Sequence, residues 1–326
     1  MIRSYLLLLF CVTLWGSNFV FGSMLVKEFP PLFLANVRLI FTSLFLILYA
    51  WLTKKFVKIT LRELGLLVLL GLIGTLANQT AYFNGLLTTD ATTASLILSL
   101  APIVTAVLAS LFLKEQFTLR MKIGSGIALL GTFFVVGIGA GLSISKGVLL
   151  IVIAMVTFSA SMIIIRKLTQ TMQPFITTVY STTVGTLFLT PAAMLTLDST
   201  AHISHEAWAW GMLIVTAILM QGVCGIVWNS QLKIVGTGKA AIFLNLQPFV
   251  AMLVGFLLLG SQVTAIQAGG SLLIVAGGGA KARRSSESLQ RLEPYKSQKP
   301  NGKKPVRHVI ASNAHRVSDW FFVLYR

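Results

Sequence analysis

Residues 94–131 read ASLILSLAPIVTAVLASLFLKEQFTLRMKIGSGIALLG, and residues 240–277 read AAIFLNLQPFVAMLVGFLLLGSQVTAIQAGGSLLIVAG, an ungapped offset of 146 positions. In that frame Ala94, Leu98, Leu100, Pro102, Val104, Leu111, Leu113, Gln116, Thr118, Gly124, Ser125 and Gly131 each meet their own residue type in the later stretch. Apolar bias supplies Leu and Val matches. It does not readily supply paired prolines, a paired Gln-x-Thr and a paired Gly-Ser in one frame. Further toward the N-terminus the agreement is weaker: Val12-Thr13, Ser17 and Pro30 lie opposite Val156-Thr157, Ser161 and Pro174. A unit of the chain is duplicated.

The solvent for this unit is lipid. Hydrophobic residues make up 56% of 326 positions, charged residues 11%, and mean hydropathy is +0.84, too little polar surface to cover a soluble globule. The apolar blocks fall near 4–26, 32–53, 62–84, 91–113, 119–139, 147–167, 174–197, 206–229, 238–259 and 264–280. Each is about the length a helix needs to cross hydrocarbon at about 1.5 Å per residue, whereas a transmembrane barrel shows shorter alternating segments. The run from Met1 past Arg3 to Val26 has no small-x-small cleavage site and reads as a retained first span. Cys11 and Cys224 sit inside apolar blocks and read as buried thiols.

The net charge of +17 follows from topology rather than from nucleic-acid binding. Arg3, Lys54, Lys55, Lys58, Arg62, Lys114, Arg120, Lys122, Arg166, Lys167, Lys233 and Lys239 fall in alternate joints on one side, and only Lys27 and Lys146 on the other. That bias puts both termini in the cytoplasm and requires an even number of spans. A duplicated unit of five spans is odd, so its second copy enters the membrane from the opposite side, the inverted repeat of many secondary transporters. The expected fold is an all-α integral membrane protein of ten transmembrane helices, as two inverted five-helix repeats in residues 1–140 and 147–280. A basic, disordered cytoplasmic tail follows in residues 281–326.

Several stretches carry a family likeness: Trp15-Gly16-Ser17-Asn18-Phe19, Ala35-Asn36-Val37-Arg38, Leu96 to Pro102, Leu111-Phe112-Leu113-Lys114-Glu115, Leu244-Asn245-Leu246-Gln247-Pro248 and Gly269-Gly270. With these the chain resembles the ten-helix EamA-type members of the drug/metabolite transporter superfamily over about residues 4–280. One departure is Ser261, which stands where the first copy has Glu115. The resemblance implies two inverted bundles around a central cavity lined mainly by the first, third, fourth, sixth, eighth and ninth helices. It also implies carriage of amino acids, other metabolites or amphiphilic compounds, often outward, without selecting a substrate.

Pro102 and Pro248 occupy equivalent midspan positions, where each removes a backbone hydrogen bond and frees the carbonyl of Leu98 or Leu244, a pointer to a midplane site and to gating. A packing kink is the competing reading. Ser99 and Asn245 are an aligned pair on the faces carrying these prolines. Trp15 and Asn18 are one turn apart, Asn78 and Tyr82 another, and Gln221 and Trp228 two turns apart, with Tyr82 and Trp228 aligned by the same offset of 146. Trp15, Asn18, Asn78, Tyr82, Ser99, Gln221, Trp228 and Asn245 are the expected substrate-binding set, amides and aromatics suited to a small polar or zwitterionic molecule. Interhelical hydrogen bonding and core filling are the plain alternatives. Arg38, the one basic residue clearly within a span, reads as a snorkelling anchor or helix-to-helix donor ahead of an anion ligand.

No Asp, Glu or His occupies the middle of a block, so a carboxylate proton relay is missing and exchange or facilitated diffusion stands level with proton antiport. Asp198, His202, His205 and Glu206 resemble a loose metal set but read better as a loop with a capping acid. Neither a metal, a cofactor nor a catalytic residue is expected. Gly124, Gly126, Gly131, Gly137, Gly269, Gly270 and Gly277 read as close packing or a homodimer face. From Lys281 onward about eleven basic residues face three acids, so anionic lipid headgroups are the expected partner of the tail and nucleic acid is not. The leading function is carriage of a small organic molecule across the cytoplasmic membrane by alternating access, with export as the direction. A membrane-embedded lipid-modifying enzyme and a non-transporting scaffold or sensor are the alternatives.

Overall fold

The computed structural model describes residues 2–112, 145–198, 201–235, 243–244, 246–261 and 269. The fifth and tenth blocks, the tail and Asn245 lie outside the described residues, as do the glycines of those blocks apart from Gly269. All regular structure among the described residues is helical.

Helix α1 is Ile2–Glu28 and α2 is Pro31–Leu52. The third span is α3, Leu61–Leu86. The fourth block divides into α4, Ala91–Leu98, and α5, Ala101–Phe112. Then come α6, Lys146–Leu168, α7, Pro174–Thr196, α8 over residues 207–235, and α9, Gln247–Leu259. Among the described residues six helical stretches are long and apolar enough to cross a membrane; α7 has the length but is rich in threonine, and α9 is shorter.

Local chemistry sets the helix ends. Pro31 and Pro174 take first-turn positions, where a missing N–H costs nothing. Thr60 and Glu63 form a reciprocal capping box at α3, and Glu63 also accepts from Thr171 Oγ1 at 2.6 Å. Asp90 caps α4 through Thr93 N at 2.9 Å, and Ser145 caps α6 through Val148 N at 3.2 Å. Helix α9 closes on Gly260 at φ 61°, with Gly260 N bonded to Phe256 O and Ser261 N to Gly255 O, a left-handed stop that glycine adopts freely.

Two spans are wound more loosely at matched places. In α3 residues Gly71–Ala77 form a π-helix, and in α8 residues Thr216–Val223 do the same. Asn78 N–H reaches back to Ile73 O, and Cys224 N–H to Leu219 O; each partner is 146 positions from its counterpart. The break between α4 and α5 also has a counterpart: Leu100 N donates to Ile97 O at 3.1 Å, and Leu246 N to Phe243 O at 3.0 Å. In both places a tight turn comes just before the proline, which carries no N–H for the carbonyl four residues back.

Packing is reciprocal as well. Helix α1 lies against α9, and α6 against α5; the end of α3 lies against α6, and α1 against the end of α8. The π segment of α3 meets α7, that of α8 meets α2, and α2 and α7 pair with each other. Between α2 and α7 the contacts are partly polar: Ser43 Oγ and Thr186 Oγ1 are 2.9 Å apart, and Thr190 Oγ1 donates to Asn36 Oδ1 at 2.9 Å. Small residues allow the close approaches. A Cβ on Gly16 would stand 2.6 Å from Val250 Cβ, and one on Gly222 the same distance from Phe45 Cδ1. The largest apolar core runs through α1, α2, α3, α4 and α6, with Phe29 and Phe33 edge-on to Trp210 where loop 201–206 is tied down by Ser204 N to Glu28 O at 3.0 Å.

Candidate functional site

The faces of α1, α2, α3 and α8 bring together most of the residues singled out from the sequence. Trp15 is half-buried on α1; its indole N–H donates to Met220 O in the π segment at 2.6 Å, and its ring tilts against Trp228 at 5.0 Å between centroids. A π turn holds its carbonyls off the ordinary i−4 ladder, which leaves such acceptors open to a side chain from a neighbouring helix. One turn along α1, Asn18 Oδ1 accepts from Arg38 Nη2 at 2.6 Å. The guanidinium also rests over Phe83, with Cζ 5.4 Å from the ring centroid, and Tyr82 stands edge-on to both Phe83 and Phe19.

Gln221 enters from α8. Its Oε1 lies 3.4 Å from Thr42 Oγ1, which also approaches Ala217 O at 3.0 Å and Arg38 O at 2.8 Å. Trp15, Asn18, Arg38, Thr42, Tyr82, Gln221 and Trp228 thus make one continuous polar and aromatic patch.

Four expected residues stand elsewhere or are occupied. Asn78 is buried against α6, where its Nδ2 donates to Ala154 O at 2.7 Å and Thr157 Oγ1 at 3.2 Å. Ser99 turns its hydroxyl onto Leu96 O, 2.6 Å away within its own helix turn. Pro102 is exposed, whereas Pro248 is buried where α9 meets α1.

Arg38 does not snorkel. The side chain is 1% exposed, although an arginine at the centre of a membrane helix costs about 2.5–3.5 kcal/mol on insertion scales. Thr42, Phe83 and Met220 were not anticipated. Thr42 was legible as the residue one turn from Arg38 on the same face; the carbonyl of Met220 has no residue signature, because it is the π geometry that frees it.

The model of the EamA-like transporter family matches this chain twice, over residues 2–137 and 145–278. The chain belongs to that family. Among curated relatives, the EamA-family protein is 26% identical over 279 residues to the uncharacterized transporter YyaM of Bacillus subtilis (strain 168), covering 84% of this chain and 91% of that one. It is 24% identical over 275 residues to an uncharacterized transporter of Archaeoglobus fulgidus, covering 84% and 97%. A solved crystal structure superposes with a TM-score of 0.62 at 16% identity over 85% of this chain and 97% of that one, a likeness of fold. This EamA-family chain is a multi-pass membrane protein of a transporter family, and its relatives bear the names of transporters rather than of enzymes.

Proposed function

We propose that this protein carries a small organic metabolite, an amino acid, a related metabolite or an amphiphilic drug, across the cytoplasmic membrane by alternating access, with export as its direction. The working unit is ten helices in two inverted five-helix repeats with both termini in the cytoplasm, as the basic joints require. The observation that carries the reading is the set of matched interruptions: π segments at Gly71–Ala77 and Thr216–Val223, and tight turns before Pro102 and Pro248. Loosened backbone at equal depth in both copies gives two similar halves the means to rearrange around a shared site. The reciprocal packing of α1 on α9 and of α6 on α5 supports the same symmetry.

The substrate is held by the patch on α1, α2, α3 and α8: Trp15, Tyr82 and Trp228 supply the walls, and Asn18 and Gln221 the polar contacts, with Asn245, the sequence counterpart of Ser99, as a further contact. Ser99 serves at its edge, Asn78 ties α3 to α6 beneath it, and Pro102 and Pro248 act in gating. Anionic lipid headgroups engage the basic tail. The test is counterflow by purified protein in liposomes preloaded with amino acids, nucleosides, sugars or amphiphilic amines. Saturable exchange of one class, reduced in Trp15→Ala and Asn245→Ala, is expected. Absence of exchange from folded protein across all four classes refutes the carrier reading.

A further inference from the structure

Arg38 uses little of its bonding capacity. Of its five N–H bonds one goes to Asn18, while Nε and Nη1 find no partner among the described residues despite near-complete burial. The side chain keeps its charge at any physiological pH. No ion pair to it occurs among the described residues, whose acids Glu28, Glu63, Asp90, Asp198 and Glu206 stand at helix ends or in loops. A neutral amide could supply the single bond to Asn18. A buried cation with open donors and no counter-charge is instead the complement of an anion that comes and goes.

We infer that Arg38 is the anion-recognition group of the transport site and that the substrate carries a single carboxylate; this rests on the carrier reading above. The carboxylate takes the open N–H donors of the guanidinium, and Asn18 holds the guanidinium in place. One charge answers one charge: among the described residues Arg38 is the one fully buried basic side chain, so a dianionic phosphate would remain half uncompensated. Tyr82, edge-on to Phe19, and the Trp15–Trp228 pair one turn from Asn18 supply aromatic surface for an apolar body. The class that fits is an organic monocarboxylate with an apolar body. Phe83, stacked on the guanidinium, holds the plane of the fork and keeps water from that face.

The test takes full-length wild type, Arg38→Gln and Arg38→Lys through thermal-shift binding in detergent and counterflow in liposomes. The probes are the common amino acids, phenylacetate, benzoate, lactate and pyruvate, each beside its own amide, with phenyl phosphate as a dianion. At least one carboxylate is expected to stabilise the wild type and to exchange, its amide to do neither. In Arg38→Gln its binding should weaken by about 30-fold or more, as for loss of one partner of a buried charge pair, with partial recovery in Arg38→Lys. Amides binding as well as acids, phenyl phosphate binding better than any carboxylate, no carboxylate binding, or equal binding in Arg38→Gln would each overturn the inference. Should Arg38→Gln fail to fold, the acid-against-amide comparison in wild type decides alone. Exchange confined to compounds without a carboxylate leaves the carrier reading standing and removes the role of Arg38; carboxylate binding without exchange does the reverse.

Discussion

Gly16 leaves no room between α1 and α9 for a larger residue, and enlarging it tests their packing directly. A Cβ there would lie 2.6 Å from Val250 Cβ, 2.9 Å from Val250 Cγ1 and 2.9 Å from Gln247 O. One of these is backbone and one is a branch point, so no rotamer relieves them; α9 must move outward just beyond Pro248. Overpacking of this kind costs about 1–3 kcal/mol. At roughly 2–4 °C per kcal/mol for a chain of a few hundred residues, Gly16→Ala should lower the melting midpoint in detergent by about 2–12 °C. Val250→Gly removes both valine contacts, so the Gly16→Ala/Val250→Gly pair should recover part of the loss relative to the sum of the single changes. Gly65 is the control: a Cβ there meets nothing within 4 Å, and Gly65→Ala should be neutral or stabilising by up to about 1 kcal/mol. A Gly16→Ala midpoint unchanged to within about 1 °C, or the same fall for Gly65→Ala, would refute the packing of α1 on α9.

Three further outcomes are expected. Asn78→Ala should reduce stability by about 0.6–1.7 kcal/mol, the range for an interhelical hydrogen bond in a membrane, and leave the exchange KM unchanged; a raised KM with unchanged stability would return Asn78 to the substrate. Thr60→Ala removes one half of the capping box and should cost about 1 kcal/mol, read as faster hydrogen exchange in the first turns of α3, and equal exchange in the two proteins would contradict the cap. Pro248→Ala restores an N–H to the carbonyl of Leu244 and should slow exchange while binding in detergent persists; unaltered turnover would show that the break before α9 is packing alone.

The described second, third, fourth, sixth, seventh and ninth spans were legible because their apolar blocks are bounded by residues with a definite end chemistry: Pro31, Thr60 with Glu63, Asp90, Ser145, Pro174 and Gly260. The interruption before Pro102 was legible for the same reason, since a proline declares the missing N–H. The π segments were not, because the i−5 pattern has no characteristic side chain and shows only in where Asn78 and Cys224 donate. Asn78 looked like Asn18, a midspan amide one turn from an aromatic; only the position of Ala154 O on the facing helix separates them. For Arg38 the sequence placed the residue near one membrane face, where snorkelling and burial are equally available to a long side chain. Phe83 and Asn18, from two other helices, decide it. The polar seam of Asn36, Ser43, Thr186 and Thr190 was present as residues spaced four and seven apart, but threonines bonded within their own helix turn have the same spacing.

The π segments also bear on which length changes this chain can absorb. In an α-helix each residue turns the chain by about 100°, so removing one mid-span rotates everything beyond it off its neighbours. Within Gly71–Ala77 or Thr216–Val223 the surplus residue of the wide turn can be lost by tightening to ordinary pitch, leaving the flanking faces in register. Single-residue deletions scanned along α3 and α8 should therefore survive in these two windows and be lethal to folding on either side, marking in each of these helices a place where chain length and helix orientation are uncoupled.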